Sequence, residues 1–406
     1  MAVTTQVKAP LSLRIARRWT RDNLFGSVGN TLLTVTVVLI LGFALYQILR
    51  FVFVTADWEV ITTNRKLLFI GRFPSGEPAG TPDETWRIWP PIFVVSALAG
   101  LSWGLWSRLE RQTAIILAVG IALVFIFFAE GDVAIRTAVA LALAGLGYVL
   151  AQAWLRGSRY LALARQLVVA GWLLPFPLAI FLLLAFGGVD PSLWGGFHLN
   201  ILLALVAIVA SFPLGVLLAL GRTSSFPVLR VVSTAYIELI RGVPLITILL
   251  MAWLVLPAFL PSYAGLDDME LVYRVMVAFT LFTAAYVAEA VRGGLQAVPR
   301  GQVEAAQALG LPTTRILALI VLPQALRAVI PALVGQFISL FKDTSLVFII
   351  GLTDLLSSGR AVTDQRDFFG DQKEALLFVG VLFWIIAFSM SRMSQRLERT
   401  LGVGER

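Results

Sequence analysis

RGGLQAVPRGQVEAAQALGLPTTRILALIVLPQ, residues 292–324, lies between two apolar runs but is patterned, unlike an ordinary loop. Pro299 and Gly301 stop the preceding helix, residues 302–309 are strong helix formers, Gly310 supplies a C-terminal cap and Pro312 opens a second helix. The expected result is a short helix, a tight turn and a second helix leading back into apolar sequence. Ala305, Ala306 and Ala308 form a small-residue face that another backbone can approach closely. The segment therefore has the form of a module gripped by a partner.

The sequence around it says which solvent the module stands in. Of 406 residues, 32 are Lys or Arg and 24 are Asp or Glu, so 14% are charged, against about 25% in soluble proteins. Hydrophobic residues make up 58% and the mean hydropathy is +0.87. Even a large soluble core cannot hide that much apolar surface, so lipid must cover the remainder. A disordered tail, a collagen-like fibre and an ordinary cytosolic enzyme are excluded on the same numbers. With no cysteine, disulfides, thiol catalysis, Cys-ligated zinc and iron-sulfur clusters are excluded too. The net charge of +8 does not indicate a nucleic-acid binder, because the arginines are spread between apolar runs and form no long basic stretch.

A hydrocarbon core about 30 Å thick needs roughly 20 apolar residues in a helix. Ten stretches meet or approach that length: about 28–54, 92–107, 113–129, 133–155, 166–186, 198–220, 242–261, 272–291, 325–350 and 375–391. The expected fold is therefore an all-α polytopic membrane protein of about ten transmembrane helices. No cleavable signal is expected, since the first 27 residues are polar and basic and the following apolar run is too long for one.

Lys and Arg alternate between the connecting segments as the positive-inside rule demands. Segment 1–27 holds Lys8, Arg14, Arg17, Arg18 and Arg21 against Asp22 alone, whereas 55–91 has five acids and four bases. Arg108 and Arg111, then Arg156, Arg159 and Arg165, and then Arg222 and Arg230 mark inside connections. Glu130 with Asp132, then Asp190, and then Asp267, Asp268 and Glu270 mark outside ones. Segment 292–327 is basic and inside, 353–374 is acidic and outside, and Arg392, Arg396, Arg399 and Arg406 place the tail inside. Both termini are thus expected in the cytoplasm. Residues 11–25, basic and interleaved with apolar positions, fit either a helix along anionic inner-leaflet lipid or an ordinary positive flank.

The two halves differ. Up to about 190 the spans are flanked by Trp86, Trp89, Trp103, Trp106, Trp154 and Trp172 as interfacial anchors and carry few polar residues, which suits a scaffold. From about 198 the spans hold Glu238, Arg241, Pro244, Glu289, Lys342 and Asp343, and intramembrane charges are costly enough to point to function or pairing. No internal repeat joins the halves.

Glu304, Ala305 and Ala306, followed by Gly310, Ile320, Leu322 and Pro323, meet every fixed position of the EAA coupling motif. The chain thereby resembles the permease subunits of bacterial ABC importers. IELIRGVPLI (237–246), AYVAEAVRGGLQAVPRGQ (285–302), LPQALRAVIPAL (322–333) and FKDTSL (341–346) are similar to the polar amino acid uptake branch. With DNLFGSVGNTLLT (22–34), they resemble the second permease subunit of the general L-amino-acid importers. The likeness is strongest over 196–395; Val334, Gly335 and Gln336 depart from it where the family usually has Asn near Gln336.

The resemblance implies a five-helix permease core (196–395, coupling segment 292–324) after a basic segment (1–27) and a five-helix extension (28–190), with a cytoplasmic tail (396–406). It implies that Glu304, Ala305, Ala306, Leu309 and Gly310 couple to a separate ABC ATPase, a dimer that binds ATP and Mg. It also implies a second homologous permease subunit, a periplasmic amino-acid-binding protein and a bacterial inner-membrane location. The expected function is import of L-amino acids by alternating access. No cofactor or metal is expected in this chain, and none of its four lysines, at 8, 66, 342 and 373, follows a glycine, so no P-loop exists.

Candidate residues for gating or the substrate path are Glu238, Arg241, Glu289, Lys342, Asp343, Thr344 and Ser345. Glu238 with Arg241, and Glu289 with Arg292, are three apart on a helix and suit simple interfacial ion pairs as well as a role in gating. Lys342 and Asp343 are adjacent, so they point about 100° apart and need partners elsewhere. An amino acid zwitterion offers both an ammonium and a carboxylate to such groups. His198 is read as a capping or interfacial residue, not a catalyst. The competing class, an ion-driven secondary transporter, predicts inverted-repeat symmetry and leaves residues 302–323 unexplained. A membrane enzyme is the third class, but no HExxH motif and no cluster of aqueous-facing Asp and His appears here.

Overall fold

The computed structural model describes residues 13–76, 82–106, 131–259 and 268–401. The expected span at 113–129, with Arg108, Arg111 and Glu130, lies outside the described residues. Among the described residues the chain is helical, with two isolated β-bridges and no strand. Among the described residues eight helices are long and apolar enough to cross a membrane, or nine if the pair bent by 102° is one span. The all-α polytopic reading holds.

The chain divides into two units, Met1–Trp58 and Glu59–Arg406. In the first, α1 (Leu13–Leu24) meets α2 (Val28–Arg50) at a corner where Ser27 caps α2 by accepting from Asn30 N. Thr34 Oγ1 donates to Leu24 O at 2.9 Å, fixing that corner. No residue of α2 is buried. A helix apolar on every side has the character of a membrane span.

The second unit begins with two short helices, α3 (Glu59–Thr63) and α4 (Arg65–Ile70). They are followed by α5 (Trp89–Trp106), α6 (Gly131–Leu150), α7 (Leu161–Gly171) and α8 (Pro175–Leu184). In lipid there is no hydrophobic drive between helices, so close backbone packing must supply the attraction. Gly100 and Gly104 on α5 face Ala144 and Tyr148 on α6, and Gly147 returns the contact against Ala97. A Cβ on Gly100 would stand 1.9 Å from the Ala144 carbonyl oxygen, which explains why these small residues lie on the shared face.

The remaining helices are α9 (Gly196–Arg222), α10 (Pro227–Arg241), α11 (Leu245–Leu250, carried on by turns to Phe259) and α12 (Leu271–Ala297). They are followed by α13 (Arg300–Ala308), α14 (Thr313–Ile316), α15 (Leu322–Asp343), α16 (Leu355–Thr363) and α17 (Gln372–Leu401). α9 packs along α12, where Gly215 admits Val287, and α12 packs on α15, where Gly294 meets the Ala325 carbonyl. The core includes Trp194, Leu199, Leu203, Phe279 and Ile350, all at most 1% exposed.

Two expected boundaries are corrected. The seventh span was expected at 242–261, but the helix before the break is ordered as well: Gly242–Pro244 separates α10 from α11, because proline cannot continue the hydrogen-bond ladder. The second helix expected after Pro312 runs from Thr313 to Ile350 through a π-turn at Leu317–Val321 and carries the ninth apolar stretch, 325–350. Gly301 does not stop a helix; it sits in the first turn of α13, and Pro299 alone separates α12 from it as the N-cap.

Candidate coupling face and path residues

α13 forms as expected. Pro299 precedes it, and Gly310 after it adopts φ +74, the left-handed conformation that ends helices, with Gly310 N donating to Gln307 O at 2.9 Å. Pro312 then caps α14. The helix is anchored by Gln324 Nε2, which donates to Gln302 Oε1 at 2.6 Å and to Ile320 O at 2.8 Å. Ala306, 3% exposed, faces the chain, while Glu304, Ala305, Ala308 and Leu309 face outward. The expected single face of Ala305, Ala306 and Ala308 is therefore divided: residues 304, 305 and 308 share one side at spacings of three and four, and 306 lies on another. Leu309, 80% exposed, is an apolar side chain presented with nothing over it.

The charges on α10 and α12 gather into one cluster. Glu289 accepts from Arg292 Nε at 3.0 Å and Nη2 at 2.5 Å, so this expected pair forms. The expected Glu238–Arg241 pair does not. Glu238 is taken by Arg222 Nη2 at 2.8 Å, and Arg241 Nη1 lies 3.8 Å from Glu289 instead. Arg222 Nη1 also reaches Glu289 at 3.3 Å. The reason is tertiary: α10 folds back across the end of α9, with Ser233 against Gly221, and so brings Glu238 to Arg222. Arg222, which the sequence reading used only as a topological marker, is the member shared by both acids.

The FKDTS segment divides differently. Lys342 is exposed and Asp343 partly so, and no hydrogen bond joins the two neighbours among the described contacts. Ser345 Oγ donates to Lys342 O at 2.9 Å, capping the end of α15. Thr344 is wholly buried, donates to Phe341 O at 2.6 Å and accepts from Asn200 Nδ2 at 3.1 Å. It sits inside this chain's own packing. His198 lies in the first turn of α9 with its ring edge-on to Phe73 at 5.8 Å.

Three polar residues that the sequence reading passed over are structural centres. Asn200 and Asp354 are fully buried and bonded to each other. Arg87, 3% exposed, donates to the carbonyls of Leu182, Ala185 and Phe186 at 2.7, 2.6 and 3.1 Å, and to Glu84 at 2.6 Å. A guanidinium there satisfies the open end of α8 and complements its dipole. A single Asn in an apolar run, or an Arg beside an interfacial Trp, gives no sequence signal that separates these roles from a solvated flank. Among the described residues no group of His, Asp and Glu could hold a metal.

Comparison with known proteins places this geometry. The family model described as binding-protein-dependent transport system inner membrane component matches residues 211–403. The inner membrane amino-acid ABC transporter permease protein YhdY of Escherichia coli is 34% identical over 392 residues, covering 95% of this chain and 93% of that protein. The glutamate/glutamine/aspartate/asparagine transport system permease protein BztC of Rhodobacter capsulatus is 36% identical over 440 residues, covering 97% and 95%. Among solved structures, an amino acid ABC transporter crystallised with histidines aligns at 28% identity and TM-score 0.44, over 50% of this chain and 90% of that one.

Proposed function

The chain belongs to the amino-acid ABC transporter permeases of the binding-protein-dependent transport systems, and from that membership we propose that it carries L-amino acids of polar or broad range from periplasm to cytoplasm. It is a multi-pass subunit of the bacterial inner membrane. Permeases of this family work with an ATPase and a binding protein. In our reading the ATPase is a dimer that binds ATP and Mg, and a second, homologous permease subunit completes the pore. ATP hydrolysis resides in that ATPase, consistent with the missing Gly-Lys. In this reading both termini lie in the cytoplasm.

The observation that carries the coupling role is α13 itself: a nine-residue helix between two spans, tied down through Gln302 and Ala306, with Glu304, Ala305 and Leu309 left facing outward beside Gly310. ATP binding draws the two ATPase subunits together, α13 moves with them, and the spans swing between outward and inward openings. Glu238, Arg241, Glu289, Lys342, Asp343 and Ser345 line or gate the path in this reading, and the exposure of Lys342 near Asp343 supports it for those two, whereas Thr344 is buried in the chain's own packing and holds the turn behind them. The residues before about 190 serve as scaffold at the flank of the core.

Uptake of labelled amino acids into proteoliposomes tests the reading. Accumulation is expected only when ATP, the ATPase and the binding protein are all present. Gradient-driven uptake by this chain alone would overturn it.

A further inference from the structure

We propose that Arg222 is a positioning residue that carries displacement of α13 to the break between α10 and α11, an inference that rests on the coupling role given above. Two helices end at one cluster carried on a third. Arg222 closes α9, Glu238 and Arg241 stand in the last turn of α10, and Glu289 and Arg292 stand on α12 about three and two turns before α13 begins. Arg222 is the only residue of the cluster that bonds both acids with separate nitrogens, at 2.8 Å to Glu238 and 3.3 Å to Glu289. Arg241 is held by Glu289 at 3.8 Å and lies over the Tyr286 ring at 5.6 Å. The residue after Arg241 opens the Gly242–Pro244 break, where the chain turns by 102°. A movement of α12 therefore displaces Glu289 relative to Arg222 and Arg241, and through them displaces both the end of α10 and the start of α11.

Magnitudes favour a switchable link over a permanent clamp. The side chains of Arg222, Glu289 and Arg241 are 22%, 24% and 35% exposed and that of Glu238 is 58% exposed. Pairs in such settings are screened and individually weak, so they can reform in a second arrangement during each cycle. Three guanidiniums face two carboxylates, leaving one positive charge in excess, so Glu289 can exchange among its arginines without stranding an acid. A planar guanidinium holds the two carboxylates through separate nitrogens in a fixed geometry, whereas an ammonium would have to reach both from one nitrogen.

The test is the number of amino acids imported per ATP hydrolysed by the reconstituted transporter. Arg222→Gln is expected to keep ATP turnover within two-fold of wild type while import per ATP falls about tenfold. Glu238→Gln is expected to lower the same ratio, and the double variant to be no worse than Arg222→Gln, because both remove one link. Arg222→Lys, which keeps the charge but not the fork, is expected to fall between. It also reports if the Gln variant does not assemble. A wild-type ratio in Arg222→Gln or Arg222→Lys, or independent multiplying losses in the double variant, overturns the inference. Wild-type complex that hydrolyses ATP without importing any amino acid overturns the coupling reading itself and the inference with it.

Discussion

The side-chain amide of Asn200 donates to Asp354 Oδ2 at 3.2 Å, joining residues 154 apart in sequence, and its carbonyl accepts from Leu355 N at 2.9 Å. Asp354 also caps α16, accepting from Leu356 N at 3.2 Å and Ser357 N at 2.9 Å. The start of α9 and the loop after α15 are thus tied by one fully buried polar group on each side.

Burial raises the Asp354 carboxyl to about 6 from its ordinary 3.8. Its folded-state value lies above its unfolded one, so the stabilisation it gives is complete below about pH 4 and is lost as pH rises through about 6. Purified protein should show a higher Tm at pH 5 than at pH 8, followed by tryptophan fluorescence, and Asp354→Asn should flatten that difference. Asn200→Ala should cost about 1–3 kcal/mol at either pH by stranding Asp354 and Leu355 N. An unaltered pH profile in Asp354→Asn would show that another group titrates.

Arg87 offers a sharper loss. Its removal strands three carbonyls at the end of α8 and the Glu84 carboxylate, and breaking a buried charged pair from one side costs about 3–5 kcal/mol. Arg87→Ala should lower stability by that order, and Arg87→Lys should recover only part of it, since an ammonium cannot reach carbonyls and carboxylate in one fork. Full recovery by lysine would mean that charge alone matters there.

Much of this was legible in the sequence because it is local. Span positions follow from runs of apolar residues, and α13 from Pro299, Gly310 and Pro312. What escaped is tertiary. α10 falls outside the ten apolar stretches because Arg230, Glu238 and Arg241 interrupt its hydropathy. Arg222 reaches partners 16 and 67 residues away, which no helical spacing encodes, so Glu238 was assigned to its i+3 neighbour. Asn200 and Thr344 each look like one polar residue in an apolar or functional string until α9 and α15 are placed side by side.

Gly71 makes a steric prediction. It adopts φ +64, and a Cβ there would lie 2.4 Å from the Gly195 Cα, where α4 abuts the start of α9. Gly71→Ala should therefore destabilise by at least about 1–3 kcal/mol, combining overpacking with a conformation that alanine resists. Gly301, in open space in the first turn of α13, is the control: alanine there should be neutral or stabilising by up to about 1 kcal/mol. Equal effects at the two sites in thermal unfolding would contradict the close approach.

Leu309 separates docking from folding. Its side chain is 80% exposed, so it contributes little to this chain's stability, yet burying a leucine in a partner is worth about 1.5–3 kcal/mol. Each 1.4 kcal/mol is about tenfold in affinity. Leu309→Ala should therefore weaken binding of the ATPase to the permease in nanodiscs by about tenfold or more with Tm unchanged. Gln302→Ala should behave differently. It removes the 2.6 Å bond from Gln324 that holds α13 against the chain, so α13 docks but transmits its movement poorly, and import should fall several-fold while ATPase affinity stays near wild type. The two variants thus predict opposite patterns in affinity and import per bound ATPase. If Leu309→Ala lowered Tm while leaving affinity intact, the exposed face of α13 would have to be reassigned from the partner to the fold.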